Sequence, residues 1–224
     1  MDNNETKNQV IDACKFRFAC KEYDINKKIS DEDFKYILQV ARLSPSSFGI
    51  EPWKFLIIQN DDLRNEMLKP CYGCQNQLKT ASHFVIMLAR KKQDTIYNSK
   101  YVDYLQRKVK NLPTEELVKD FVDTYHAFQE HNNLTTDQAL FDWACRQTYI
   151  ALANMMSAAA QIGIDSCAME GYNGKELEEM LVKHGLMNKD EFGISCLISF
   201  GYRKNEPPFP KTRNPIDNIV KFVK

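Results

Sequence analysis

Ser44-Pro45-Ser46-Ser47-Phe48-Gly49-Ile50-Glu51-Pro52-Trp53 is the stretch on which the reading of this 224-residue chain turns. It separates an amphipathic helical pattern from the apolar run Lys54-Phe55-Leu56-Ile57-Ile58. Two prolines fix φ and withdraw N–H donors, so helix through the stretch is costly. Its small hydroxyls and Gly49 permit close backbone approach and local side-chain-to-backbone bonding. A helix-to-strand connection needs only about two to six residues. The surplus length leaves two readings open: a connector whose Trp53 plugs the core, or a loop that carries function.

Upstream, Ser30 followed by Asp31 and Glu32 reads as a helix start, and Phe34, Ile37, Leu38 and Ala41 recur at i, i+3, i+4, i+7. Earlier still, Val10, Ile11, Cys14 and Phe18 share one helical face over residues 8–20. If that helix persists, Arg17 and Lys21 lie one turn apart and point the same way. Downstream, a brief helix over 61–68 is stopped by Pro70, the amides at 75–77 read as a loop, and 84–89 is an apolar run of strand length. Residues 98–131 are helical with a break at Pro113, where Thr114 caps and Glu115 and Glu116 fill the new first turn. Phe121, Tyr125 and Phe128 recur there and either pack inward or roof a pocket.

The longest helical pattern covers 136–162 and stops at Gly163. From Tyr149 onward it is apolar or small almost all round, which suits the centre of the core or a subunit interface. Strand patterns at 164–169 and 194–200 flank an amphipathic helix over 174–184. The proline-rich tail, about 205–224, is extended, and its last part either adds an edge strand or reaches a neighbouring subunit. With no internal repeat, the expectation is one α+β domain over 1–224.

Lysine plus arginine and aspartate plus glutamate number 30 each, so net charge is zero, which argues against nucleic acid or an anionic membrane as main partner. The polar start Met1-Asp2-Asn3-Asn4-Glu5 has no signal-peptide core and no run of 18 apolar residues exists, so a cytoplasmic protein is expected. Seven scattered cysteines do not form a disulfide framework; Cys71-Tyr72-Gly73-Cys74 has no second pair at zinc spacing. His83, His126, His131 and His184 lack ligand spacing, so no metal site is expected, and His83 at a strand entrance reads as structural rather than as a base. Phosphate-loop, nucleophile-elbow and zinc-protease motifs are absent. The cations Arg17, Lys21, Lys211 and Arg213, with the Ser46 and Ser47 hydroxyls, suit phosphate or another anion.

Six segments, in this order, resemble the FMN-dependent nitroreductase family over nearly the whole chain. They are Arg17-Phe18-Ala19-Cys20-Lys21, the 44–53 stretch, Gln75-Asn76-Gln77 before Ala81-Ser82-His83, residues 141–154, residues 163–171, and Gly201-Tyr202-Arg203 with the basic tail. The wording Phe48-Gly49-Ile50-Glu51 before Pro52-Trp53 is closest to the oxygen-insensitive branch, also labelled dihydropteridine reductase. The resemblance implies a nitroreductase-like fold: a central, mainly antiparallel sheet flanked by helices, in an intertwined homodimer with FMN at the subunit interface. The tail would reach the partner subunit.

By the same resemblance, Arg17, Lys211 and Arg213 would bind the flavin phosphate and Lys21 would face its N1/O2 side, where a cation favours the reduced form. Pro45, Ser46 and Ser47 would line the ribityl chain and ring, Gln75 and Gln77 the pyrimidine edge, and the N–H of Glu170 or Gly171 would approach N5. Ala19 stands where the family usually has serine, Ala168 where proline is frequent, and Gly49 and Glu51 replace asparagine and glutamine. The implied activity is ping-pong hydride transfer from NADH or NADPH to FMN, then two-electron reduction of a nitroaromatic, quinone or pterin. No side chain is assigned a catalytic role, because the flavin carries the chemistry; Phe121, Tyr125 and Phe128 are candidates to meet the small-molecule acceptor. Two rivals stand beside this reading. One is a same-fold flavoenzyme with another acceptor, such as a reductive dehalogenase. The other is a flavin-free redox or metal-binding protein using Cys71 and Cys74.

Overall fold

The side chain of Ser30 accepts from the N–H of Asp33 at 3.1 Å and opens α2 (Asp31–Arg42), whose acidic first turn complements the helix dipole. This is one element of a computed structural model that describes residues 3–224; Met1 and Asp2, part of the polar start, lie outside the described residues. Before α2 stands α1 (Asn3–Phe16), and after it come β1 (Trp53–Ile58), α3 (Asp61–Met67) and α4 (Gln75–Thr80). Next are β2 (His83–Arg90), α5 (Lys92–Thr95), α6 (Lys100–Tyr104) running into a π turn (Leu105–Val109), and α7 (Glu115–His131). The chain continues through α8 (Asp137–Gln161), β3 (Asp165–Met169), α9 (Gly174–Lys183) and β4 (Phe192–Gly201).

The strands form one antiparallel sheet of order β1-β2-β4-β3. Central strand β2 is buried from 83 to 89, so its near-continuous apolar sequence reflects cover on both faces. Alternate residues go to opposite layers. Phe84, Ile86 and Leu88 pack with Met67, Leu78, Leu177 and Leu181 from α3, α4 and α9. Val85 and Met87 pack with Phe34, Ile37 and Ala41 of α2 and with Ala151, Leu152 and Met155 of α8. Each such fully buried aliphatic side chain contributes about 1.5–3 kcal/mol. A satellite cluster, with Ile50, Val102, Leu105, Tyr125, Leu140 and Trp143, lies under the 44–53 stretch.

Several expectations are corrected. The first helix ends at Phe16, so Arg17 and Lys21 are not one turn apart on a helix. Residues 17–21 run extended because Ala19 bridges Ser166 beside β3, and Cys20 and Tyr23 are buried there. The amides at 75–77 are helical, not a loop, because Leu78 bonds back to Cys74 and the Thr80 hydroxyl to Asn76 O (2.7 Å). The tail adds no strand among the described residues; Ile216–Asn218 is a single 3-10 turn with exposed side chains. Trp53 is only half-buried, and fully buried Ile50 is the plug under the loop instead.

The long helix is capped by Thr136, whose hydroxyl accepts from Ala139 N at 3.1 Å, and closes before Gly163 at φ 75. It is buried on one face only, through residues such as Ala144, Ala151, Met155 and Ala159, while Tyr149, Ile150 and Ile162 stay exposed. His83 is buried, stacked 3.8 Å from Phe34 and hydrogen-bonded to Ser82.

Candidate active site

Arg203 anchors the segment that lines the site. Its guanidinium pairs with buried Asp165 (Nη2 to Oδ1, 2.8 Å), donates to Phe16 O at 3.1 Å, and lies 4.2 and 4.6 Å from the Phe16 and Phe18 rings. Residues 16–18 are therefore fixed against β3 and β4, and Arg17 is aimed into a cleft of about 690 Å³ between them and the tail. That volume lies within the roughly 300–1,000 Å³ of small-molecule sites. Arg17, Ala19, Lys211 and Arg213 all line it.

Among the described residues, the Lys211 ammonium donates to the carbonyls of Cys14 and Arg17, both at short range. Partial burial, with Arg17 and Arg213 nearby, pushes its pKa below the ordinary lysine value. Among the described residues no carboxylate pairs with Arg17, Lys211 or Arg213, and Glu206 at the rim is held by Arg203. Three cations that repel one another around an open cleft fit a phosphate dianion.

A second cluster lies along β3. Lys21 Nζ and Gln77 Nε2 approach Cys167 Sγ at 3.8 and 3.6 Å. Burial pushes the Cys167 thiol up, with the Lys21 charge opposing it. An ammonium and a buried amide side by side give the donor set expected for the polar edge of a flavin. Ala168 is exposed on β3. Beyond the strand, no turn or loop bond among the described residues uses the N–H of Glu170 or Gly171, while Gly171 O accepts from Gly73 N at 2.7 Å. A Cβ on Gly73 would sit 2.8 Å from Gly171 Cα, so only glycine permits this approach. Gln75 differs from expectation: its amide donates to Leu68 O (2.6 Å) and Cys71 O (2.8 Å), so its hydrogens are spent on bracing the loop.

Pro45, Ser46 and Ser47 do not line the cleft. Ser47 N donates to Gln147 Oε1 at 2.9 Å, and Ser46 Oγ accepts from Glu51 N at 2.9 Å. Phe48, Gly49 and Glu51 adopt φ of 56, 58 and 43, a left-handed run that favours glycine. It is held by Lys110 Nζ to Phe48 O (2.6 Å) and by the Tyr101 hydroxyl to Glu51 O (3.0 Å). Gln147 binds this loop and Tyr149 binds Glu170. Two residues apart on α8, they point to nearly opposite sides. One chain thus carries the two halves of the expected site on different sides of α8.

Of the aromatic candidates, Tyr125 is corrected: it is fully buried, with its hydroxyl on Thr95 O at 2.8 Å. Phe121 and Phe128 are half-buried and pack on Phe48, with ring centroids at 5.9 and 4.9 Å. Inward packing is the reading the structure takes, with Phe121 alone at the rim under Lys110 (4.3 Å). Cys71 and Cys74 are buried in the core beneath β2, where contact with Cys74 and then burial push the Cys71 thiol up. The sequence reading missed Cys167, Gln147 and Tyr149. The polar positions Gln147 and Tyr149 within an otherwise apolar helix were the available signal.

The family model described as the nitroreductase family matches residues 14–202. "Putative NAD(P)H nitroreductase YfkO" of Bacillus subtilis is 46% identical over 98% of this chain and 99% of its own. "Putative NAD(P)H nitroreductase SERP2086" of Staphylococcus epidermidis is 44% identical over 98% and 99%. Among solved structures, a "putative nitroreductase in complex with FMN" from Exiguobacterium sibiricum superposes with TM-score 0.74 at 25% identity, covering 96% and 97% of the two chains. Bacillus subtilis ydfN, at 21% identity, shares the fold with TM-score 0.78, covering 98% and 99%. A match across most of the length, over a cleft whose cations suit a phosphate, makes this chain a member of the nitroreductase family.

Proposed function

We propose that the protein is an NAD(P)H-dependent FMN oxidoreductase that reduces small-molecule acceptors such as nitroaromatics, quinones or pterins. The observation that carries this reading is the convergence of Arg17, Lys211 and Arg213 on one cleft whose single lining carboxylate, Glu206, is paired with Arg203 rather than with any of them. FMN, when bound, supplies a two-electron relay between the nicotinamide and the acceptor, in two half-reactions that share one pocket. The chain's own part is to bind, orient and tune. Arg17, Lys211 and Arg213 hold the phosphate. Lys21 and Gln77 hold the polar edge, and the Lys21 ammonium favours electron uptake by stabilising added negative charge. The N–H groups at Glu170 and Gly171 are the donors offered at the reacting edge. Ala19 brings no hydroxyl, so the phosphate end relies on charge. With the flavin carrying the electrons, no side chain is required as a catalytic acid or base.

The second half of the site, Pro45, Ser46 and Ser47, comes from a second copy of the chain. Support for this homodimer is the outward apolar face: Val10 and Ile11 of α1 are 44% and 53% exposed, beside Tyr149 and Ile150 of α8 at 37% each. The tail carries Ile216, Phe222 and Val223 at 69%, 86% and 88% and has no core of its own to cover them. Exposed apolar surface of this kind marks an interaction face. No helix among the described residues is long and apolar enough to cross a membrane.

Titration of flavin-free protein with FMN, followed by quenching of flavin fluorescence, tests the assignment. Saturable uptake that Arg213→Ala weakens without comparable loss of thermal stability supports it. Failure to bind FMN, or equal loss of folding and binding, contradicts it.

A further inference from the structure

Tyr149 projects from α8 beside the end of β3, and its hydroxyl donates to Glu170 Oε1. Tyr149 is 37% exposed, so its ring is not a core plug. The turn that Glu170 opens is otherwise tied down through its backbone. Tyr172 N donates to Glu170 O at 3.0 Å, Gly73 N to Gly171 O at 2.7 Å, and Asn173 N to Pro70 O at 2.8 Å. One flank is also fixed by the Tyr172 hydroxyl on Ser195 O at 3.2 Å. Among the described residues, Tyr149 is the side chain that hydrogen-bonds the Glu170 carboxylate.

We propose that Tyr149 is a positioning residue for the redox centre: its hydroxyl fixes the Glu170 carboxylate and partly compensates its charge beside the Glu170 and Gly171 amides. This rests on the flavin reading given above. Burial and the Glu170 carboxylate push the Tyr149 phenol well above its ordinary value, so it stays protonated and remains a donor across the working pH range. A carboxylate near the reacting edge opposes the arrival of negative charge. A phenol donor draws off part of that charge and holds the carboxylate in one place. Tyr149→Phe keeps the ring and removes only the donor. Glu170 is then less compensated, so electron uptake becomes harder, and the turn is less well fixed.

The test is a double-mutant cycle on FMN-loaded protein, comparing wild type, Tyr149→Phe, Glu170→Ala and the double variant. Spectroelectrochemistry gives the flavin midpoint potential, and fluorescence titration gives the FMN dissociation constant; thermal melts confirm that each variant is folded. Tyr149→Phe is expected to shift the potential negative and to raise the dissociation constant about two- to tenfold, the worth of one net hydrogen bond. Both changes are expected to vanish in the Glu170→Ala background. An unchanged potential in Tyr149→Phe, or the same shift with and without Glu170, overturns the proposal while leaving the flavin assignment intact. A wild-type chain that takes up no FMN overturns both.

Discussion

A phosphate among Arg17, Lys211 and Arg213 would relieve the repulsion that helps to depress Lys211. Two predictions follow at this scale. Arg213→Ala removes one charge-assisted contact and should raise the FMN dissociation constant about ten- to a hundredfold. Being exposed, it should change unfolding free energy by no more than about 0.5 kcal/mol. The second prediction concerns pH. Because the Lys211 pKa is lowered, its ammonium loses its proton at lower pH than an ordinary lysine, and bound phosphate favours the charged form. FMN affinity should therefore fall as pH rises into the alkaline range, with proton uptake on binding detectable by calorimetry in buffers of different ionisation enthalpy. In Lys211→Ala that alkaline slope should flatten. The residue types of Arg17, Lys211 and Arg213 suggest an anion site from sequence, but that they meet in one place was legible only through family likeness, since residues so distant in sequence meet by tertiary folding. Cys167 escaped notice because an isolated cysteine in a strand carries no spacing signal, and its role depends on where Lys21 and Gln77 fall.

Local patterns located most elements because caps and breakers act locally. Ser30, Thr114 and Thr136 open helices with side-chain bonds to the backbone, and Gly163 and Gly185 close them at φ of 75 and 67. The failures are where tertiary contacts override pattern. The helical spacing of Cys14 and Phe18 gave way at Phe16 because Tyr23 and Cys20 are drawn against β3 and β4, with the Tyr23 hydroxyl 2.8 Å from Ser199 Oγ. Two predictions belong to elements. Gly73→Ala forces a Cβ onto Gly171 backbone and should cost about 1–3 kcal/mol while weakening FMN binding. Gly174→Ala is a control, since its Cβ stays 3.9 Å from the nearest heavy atom. For β2, burial and then the Arg64 charge push His83 from 6.5 down to about 4. The unfolded chain protonates this group first, so its stabilisation is complete above pH 6.5 and is lost as pH falls toward 4. Thermal melts of His83→Phe across this window should show a shallower acid-side decline than wild type.

At the scale of the molecule, the two-layer core follows from a central strand that is apolar on both faces and from the amphipathic helices that cover it. The division of the site across α8 does not. The long apolar helix turns Ala151 and Met155 toward the sheet while Ile150 faces out, onto the face proposed to meet a second copy. Ile150→Asp places a charge on the proposed dimer face. It should yield monomers by light scattering and weaken FMN uptake, because residues 45–47 of a second copy are then missing. A monomeric wild type with full FMN affinity would remove that part of the account. The central claim is electron transfer from a nicotinamide to bound flavin and on to an acceptor. Its most direct measurement is an anaerobic titration of the FMN-loaded protein with NADH and, separately, NADPH, followed in the visible spectrum. The account predicts that the flavin absorbance bleaches with one equivalent of at least one donor and returns on adding a nitroaromatic or quinone. Bound flavin that keeps its colour with both donors would contradict it.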